Sequence, residues 1–238
     1  MTREGDGWPI GPAERTPGST DATAGPPVRA VICDFGGVLT TPLFQSFAAY
    51  QKLSGIAPEQ LRDAMAAAEA EWSEHPLFEL EKGAITEAEF QRRLEAHLGD
   101  GASLAGFRET YFEHLHPNEP MIECMRGLRR RGLSMAMLTN NVREWEPLWR
   151  AKLPDIDEIF ELVVDSAFVG MRKPDHAIYE LTVERLAAEI DAEECLFVDD
   201  VEVNCRAARE VGMRAVHFVA SDGAVAEIEA ALRPPGAP

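Results

Sequence analysis

Hydrophobic and polar positions alternate in two different rhythms along the chain. Near Val28 the apolar run Val31-Ile32-Cys33 has the length and β-branched character of a buried strand, and it stops at Asp34. The next stretch, residues 42–116, reads as helical throughout, with no strand-like segment interrupting it. Leu61, Met65, Ala68 and Trp72 recur on one helix face, and Thr86-x-x-Glu89 is a capping box, with Ile85 and Phe90 placed as a hydrophobic staple and Leu94 and Leu98 continuing the stripe. From about Pro120 helix and strand alternate. A helix through 124–131 leads to a strand at 134–138 that ends in Thr139-Asn140-Asn141, and a helix around 145–149 leads to a strand at 162–165. Pro174 is placed as the first residue of a helix carrying Ile178, Leu181 and Leu186. A strand at 195–198 ends in Asp199-Asp200, Val203, Ala207 and Val211 mark the helix after it, and a strand at 215–219 and a short helix close the chain. Repeated strand–helix–strand units with apolar strands predict an α/β fold, a doubly wound, Rossmann-like parallel sheet with helices on both faces and an all-helical insertion after the first strand.

Composition narrows the function classes. The net charge of −18 argues against a nucleic-acid footprint, which needs clustered positive charge. Arg129-Arg130-Arg131 stands before Gly132 at a helix C-terminus, where the dipole favours cations, and reads as a solvated helix end. No apolar stretch is long enough for a bilayer, and residues 1–10 lack the apolar centre of a signal peptide, so a cytoplasmic protein is expected. Residues 1–27, rich in Pro, Gly, Thr and Asp, are expected to be a disordered tail. Cys33, Cys124, Cys195 and Cys205 show no metal-ligand spacing and read as reduced thiols, and no histidine is assigned a catalytic role. Trp72, Trp145 and Trp149 read as packing residues. Oligomeric state is not legible.

Chemistry concentrates where strands end. A charge closing a buried strand is costly unless something pairs with it, and here two such ends carry acids, Asp34 and Asp199-Asp200. Magnesium suits such a pair, because it takes oxygen ligands and is usually held by one or two carboxylates beside a substrate phosphate. In open parallel sheets ligands bind beyond the carboxyl ends of the strands, so Asp34, Thr139 and Asp199-Asp200 should meet in one crevice, with Lys173 opening a helix on the same side. The chain has four lysines against nineteen arginines, so a lysine here suggests a need for a compact ammonium. Each residue alone also has a bland reading: Asp34 or Thr139 as a helix cap, Asn140 and Asn141 as turn residues, Lys173 as a surface group.

Taken together, Asp34-Phe35-Gly36-Gly37-Val38, Thr139-Asn140-Asn141, Arg172-Lys173-Pro174, and Asp199-Asp200 with Asn204 resemble the haloacid-dehalogenase superfamily of hydrolases with a helical cap. The opening also resembles phosphatases related to the N-terminal domain of soluble epoxide hydrolases. The resemblance covers about residues 28–220. It implies a core of residues 28–41 and 117–238 and a cap of residues 42–116, and a magnesium-dependent phosphatase of a small phosphorylated metabolite. Asp34 would attack phosphorus and form an aspartyl-phosphate, Thr139 and Asn140 would bind the phosphoryl group, and Lys173 would neutralise its charge. Asp34, the Gly36 carbonyl and Asp200 would hold magnesium, with Asp199 and Asn204 supporting the loop.

The chain departs from the family pattern at Gly36, where most phosphatases of this superfamily carry a second aspartate that moves protons. General acid–base help is worth about two to four powers of ten in rate. A good leaving group such as that of a sugar 1-phosphate, a metal-bound water, or a cap acid such as Glu79 or Glu81 are the candidate substitutes. Two alternatives to the phosphatase remain open from sequence: a catalytically weak ligand- or partner-binding protein of the same fold, and a metal-free 2-haloacid dehalogenase, against which the density of acids weighs.

Overall fold

A computed structural model of the chain describes residues 26–99, 101–186 and 189–233. The tail expected over 1–27 therefore lies outside the described residues up to position 25. At its visible end the Pro26 carbonyl accepts a hydrogen bond from the Arg214 guanidinium.

Five parallel strands, β1 (Ala30–Cys33), β2 (Ser134–Thr139), β3 (Leu162–Asp165), β4 (Cys195–Asp199) and β5 (Arg214–His217), form one sheet in the order β3-β2-β1-β4-β5. The order reverses at β1. Crossovers to its two neighbours run in opposite directions, which opens a crevice at its carboxyl end. β1 is buried along its whole length, and successive side chains point to opposite faces, so Val31 and Cys33 join one core and Ala30 and Ile32 the other.

Between β1 and β2 come α1 (Leu43–Ser54), α2 (Pro58–Trp72), α3 (Pro76–Glu81), α4 (Glu87–Glu95) and α5 (Phe107–Glu113), then α6 (Glu119–Arg130). The remaining helices are α7 (Glu146–Lys152), α8 (Ile156–Ile159), α9 (Ser166–Val169), α10 (His176–Arg185), α11 (Glu202–Glu210) and α12 (Ser221–Ala231). Helices α6 and α12 cover one sheet face through Met121, Met125, Leu128 and Ile228, and α10 and α11 cover the other through Ile178, Tyr179, Ala207 and Ala208. The chain leaves for α1 and returns from α5 at one place. Thr40 and Pro117 form an antiparallel bridge, the Thr41 N–H donates to the His116 carbonyl at 2.8 Å, and the Asn118 N–H donates to the Leu39 carbonyl at 2.9 Å.

Several local expectations are corrected. Pro174 is not in the first turn of a helix: α10 starts at His176 with Asp175 as its N-cap, so Lys173 sits in the turn ahead of it. Val203 is 39% exposed, and the buried face of α11 is built from Asn204, Cys205, Ala207 and Ala208. Strand β5 ends at His217 rather than at Val219, which is exposed. Only half of the expected capping box forms, because Thr86 accepts from the Glu89 N–H at 3.2 Å while the Glu89 carboxylate turns to Arg92 and Arg93. Arg129 and Arg130 do end α6 and Arg131 caps it, paired with Glu161, Glu123 and Glu229 respectively. The four cysteines are unbridged. Trp145 and Trp149 are buried packing residues. No helix among the described residues is long and apolar enough to cross a membrane.

Candidate active site

Asp34 stands one residue past β1, where its N–H donates to the Val198 carbonyl at 2.9 Å and fixes the strand end against β4. The chain then turns sharply through Gly37, whose φ of +80° favours glycine. The turn has a second need for glycine at that position, because a Cβ on Gly37 would lie 2.2 Å from Asp200 Oδ2. Gly36 beside it is half-buried.

At the end of β4, Asp199 is fully buried and fully engaged. Its Oδ1 accepts from the Val201 N–H at 2.8 Å and from Asn204 Nδ2 at 3.1 Å, and its Oδ2 accepts from Lys173 Nζ at 2.6 Å. The same ammonium lies 2.7 Å from Asp34 Oδ1. Lys173 is 1% exposed, so this bridge between two strand ends is closed off from water. Asn140 holds the lysine's backbone: its Oδ1 accepts from the Lys173 N–H at 2.8 Å and its Nδ2 donates to the Lys173 carbonyl at 2.9 Å. Both ends of that amide are thus committed to the Lys173 backbone, which makes the Asn140 side chain the anchor of the lysine loop. Thr139 is buried at the end of β2, in register with Asp165, and its hydroxyl has only a 3.5 Å contact to the Asn140 carbonyl.

The electrostatics are those of a site short of positive charge. Oxygens of Asp34, Asp199 and Asp200 all lie within 4.8 Å of one another. Burial pushes the Asp34 carboxyl from 3.8 up to about 8, with Asp199 and Asp200 adding to the rise and Lys173 opposing it. Burial, then Asp199, likewise raises Asp200 to about 6. For Lys173 burial works against the charged form, but Asp199 and Asp34 outweigh it and hold the ammonium protonated. When all three carboxyls are ionised they outnumber the one ammonium by two charges, an excess that a hard divalent cation matches in sign and ligand type. Glycine at position 37 is what lets the Asp200 carboxylate come this close to the β1 turn.

The sheet order, the strand-end placement of these groups and the Lys173 bridge together meet the expectation set by the motifs, and the model of the haloacid dehalogenase-like hydrolases matches residues 28–212. The chain belongs to this family. Among its relatives, the sesquiterpene phosphatase astK of Aspergillus oryzae is 29% identical over 204 residues, covering 81% of this chain and 91% of that protein. Bifunctional epoxide hydrolase 2 of Sus scrofa is 32% identical over 115 residues, 47% of this chain but only 20% of that longer protein. A structure of a family enzyme from Bacteroides thetaiotaomicron, in complex with magnesium and inorganic phosphate, superposes with a TM-score of 0.61 at 24% identity, over 81% of this chain and 95% of that one, a likeness of fold.

From the inserted helices, α3 and α5 bring further groups to this edge. Glu81 pairs with Arg172 at 2.7 Å and lies close enough to Lys173 for its charge to be felt. Glu79, the other cap acid considered, turns away and pairs with Arg93 at 2.6 Å. Tyr111 shares the field of Asp34, Asp200 and Glu81, and its phenol is pushed well above its ordinary range, chiefly by burial. Its ring packs 4.9 Å from that of Trp145, whose indole N–H is buried without a hydrogen-bond partner among the described residues. Sequence reasoning missed Tyr111 as a site neighbour, since helical spacing reveals which face is apolar but not what that face meets. The motif Arg172-Lys173-Pro174 carries no sequence signal for what Arg172 meets.

Proposed function

We propose that the chain is a magnesium-dependent phosphatase of a small phosphate monoester, and that residues 42–116 act as a cap over its site. The observation that carries this reading is the Asp34–Lys173–Asp199 bridge, with Asp200 close enough to complete a cation site. The Asp34 carboxylate attacks phosphorus, the bond from phosphorus to the alcohol oxygen breaks and the alcohol leaves with a proton from solvent; water then attacks the aspartyl-phosphate at phosphorus, which frees inorganic phosphate and restores Asp34. Lys173 neutralises charge on Asp34 and on the phosphoryl oxygens, and the Thr139 hydroxyl donates to one of them. Asn140 holds Lys173 in place, and Asp199 and Asn204 hold the metal loop. Asp34, the Gly36 carbonyl and Asp200 would hold magnesium, which supplies countercharge that one ammonium cannot.

With Gly36 in place of an acid, the reading favours a leaving group that needs little protonation. Tyr111 beside the site, backed by Trp145, supports an ester whose alcohol presents apolar or aromatic surface, and the relative named as a sesquiterpene phosphatase points the same way. Phosphate release from p-nitrophenyl phosphate tests the reading. It should require magnesium, stop on chelation, and fall to background in Asp34→Asn. Activity that survives this substitution would remove Asp34 as nucleophile.

A further inference from the structure

Arg172 and Lys173 are neighbours in sequence whose side chains go to different halves of the molecule. Lys173 enters the core between Asp34 and Asp199. Arg172 reaches α3, where its Nε lies 2.7 Å from Glu81 Oε2 and its guanidinium carbon lies 3.9 Å from the centroid of the Phe78 ring. Phe78 is stacked in turn on His75, with ring centroids 4.3 Å apart. Glu81 and Phe78 are three residues apart on one helix and so project from the same face. Both members of the ion pair are largely buried, with side-chain exposures of 15% and 16%. A guanidinium suits this place, because its flat face stacks on an aromatic ring while its edge donates to a carboxylate.

The same end of α3 also touches the other loops of the site. Ser166 Oγ donates to the Glu81 carbonyl at 2.6 Å and accepts from the Asn141 N–H at 3.0 Å, which links α3 to the ends of β3 and β2. Gly83, at φ +66°, lets the chain pass so close that a Cβ there would lie 2.3 Å from the Ala167 carbonyl oxygen. Thus α3 is seated on the loops after β2 and β3 and on the loop that carries Lys173.

Resting on the phosphatase reading, we propose that Arg172 is a positioning residue that couples the seating of α3 to the place of Lys173. With Glu81 and Phe78 clasping Arg172, the 172–174 loop is held from both sides, by Asn140 on the core and by α3 on the cap. When α3 lifts, Arg172 loses its buried partners and the loop keeps only the Asn140 anchor. The ammonium is then fully placed, and phosphoryl transfer fastest, only with α3 seated on the core.

Two readouts on the full-length protein test this. In hydrogen exchange without substrate, Glu81→Gln and Phe78→Leu should each speed exchange in residues 76–83 and also in residues 172–175 on the core. In steady-state kinetics with p-nitrophenyl phosphate, Arg172→Gln and Glu81→Gln should each lower kcat about tenfold, in the range seen for coupled residues in contact, with KM changed far less. The double variant should be no worse than the poorer single one. Additive losses, a rise in KM with kcat intact as for a direct phosphate ligand, or exchange confined to 76–83 would each overturn the coupling. If exchange is coupled but no form of the protein releases phosphate, the phosphatase reading fails and the physical link between α3 and the lysine loop stands.

Discussion

The sheet edge and the inserted helices use charge in opposite ways. At the edge, Lys173, Asp34 and Asp199 are buried almost completely and bonded to one another, an arrangement that costs desolvation and leaves the site two positive charges short. In the inserted helices most ion pairs are exposed, such as Arg92–Glu89 and Arg62–Asp63, and contribute little to stability. The most buried of them among the described residues are Arg93–Glu79, which ties α4 to α3, and Arg172–Glu81, which ties α3 to the core. Charge is strained where chemistry is expected and relaxed elsewhere, and the few buried pairs of the cap sit where one element docks on another.

This contrast can be broken by substitution, and the largest change after loss of Asp34 is expected at Gly36. Gly36→Asp puts an acid at the position where most phosphatases of the family carry one. Restoring an acid at this position should raise kcat by about two to four powers of ten if proton transfer limits turnover. A flat response in the kinetics would place the limiting step elsewhere.

Lys173→Met sharpens the comparison through stability. Removing one partner of a buried pair costs about 3–5 kcal/mol, because the partner charge is left behind. For a chain of this size that lowers the thermal midpoint by about 10 °C. Proton uptake by Asp34, whose carboxyl already sits at about 8, would soften the loss, while Asp199 keeps its bonds to Val201 and Asn204. A midpoint that stays put would show that the bridge carries no stability.

The smallest effect is expected in the cap. Thr86→Ala removes the N-cap of α4 and should cost about 1 kcal/mol, with kcat unchanged, since that helix end touches none of the reacting groups. A fall in kcat as large as that expected for Glu81→Gln would mean that the whole cap, and not α3 in particular, governs the site.

Legibility in the sequence divides along the same line. The strands were legible because β1, β2 and β4 are buried on both faces and read as continuous apolar runs, and parallel pairing then brings their ends, with Asp34, Thr139 and Asp199, to one edge. Lys173 was placed at the right edge but on the wrong element, because the proline after it suggested a helix start. The hold of Asn140 on the lysine loop was not legible, since the residue its side chain bonds lies 33 positions away. The docking of the cap was not legible at all. Amphipathic spacing identified Met65, Ala68 and Leu94 as inward, but the contacts of Glu81, Phe78 and Tyr111 depend on how α3 and α5 are set down on the core, which no local pattern encodes.

On the proposed reading, Asp34 and Asp200 share one divalent cation beside Lys173. Because burial raises Asp34 from 3.8 to about 8, the metal-free folded state binds more protons than the unfolded chain across that window, and its stability should fall as pH rises through it. A cation that needs both carboxylates ionised should then bind more tightly as pH rises between about 6 and about 8, and release protons as it binds. Calorimetric titration of magnesium into the protein at several pH values, in buffers of different ionisation heat, measures this directly. The account predicts one ion per chain, proton release on binding, and an affinity at least about tenfold weaker in Asp200→Asn. Magnesium bound equally well by that variant, or with no dependence on pH, would contradict it.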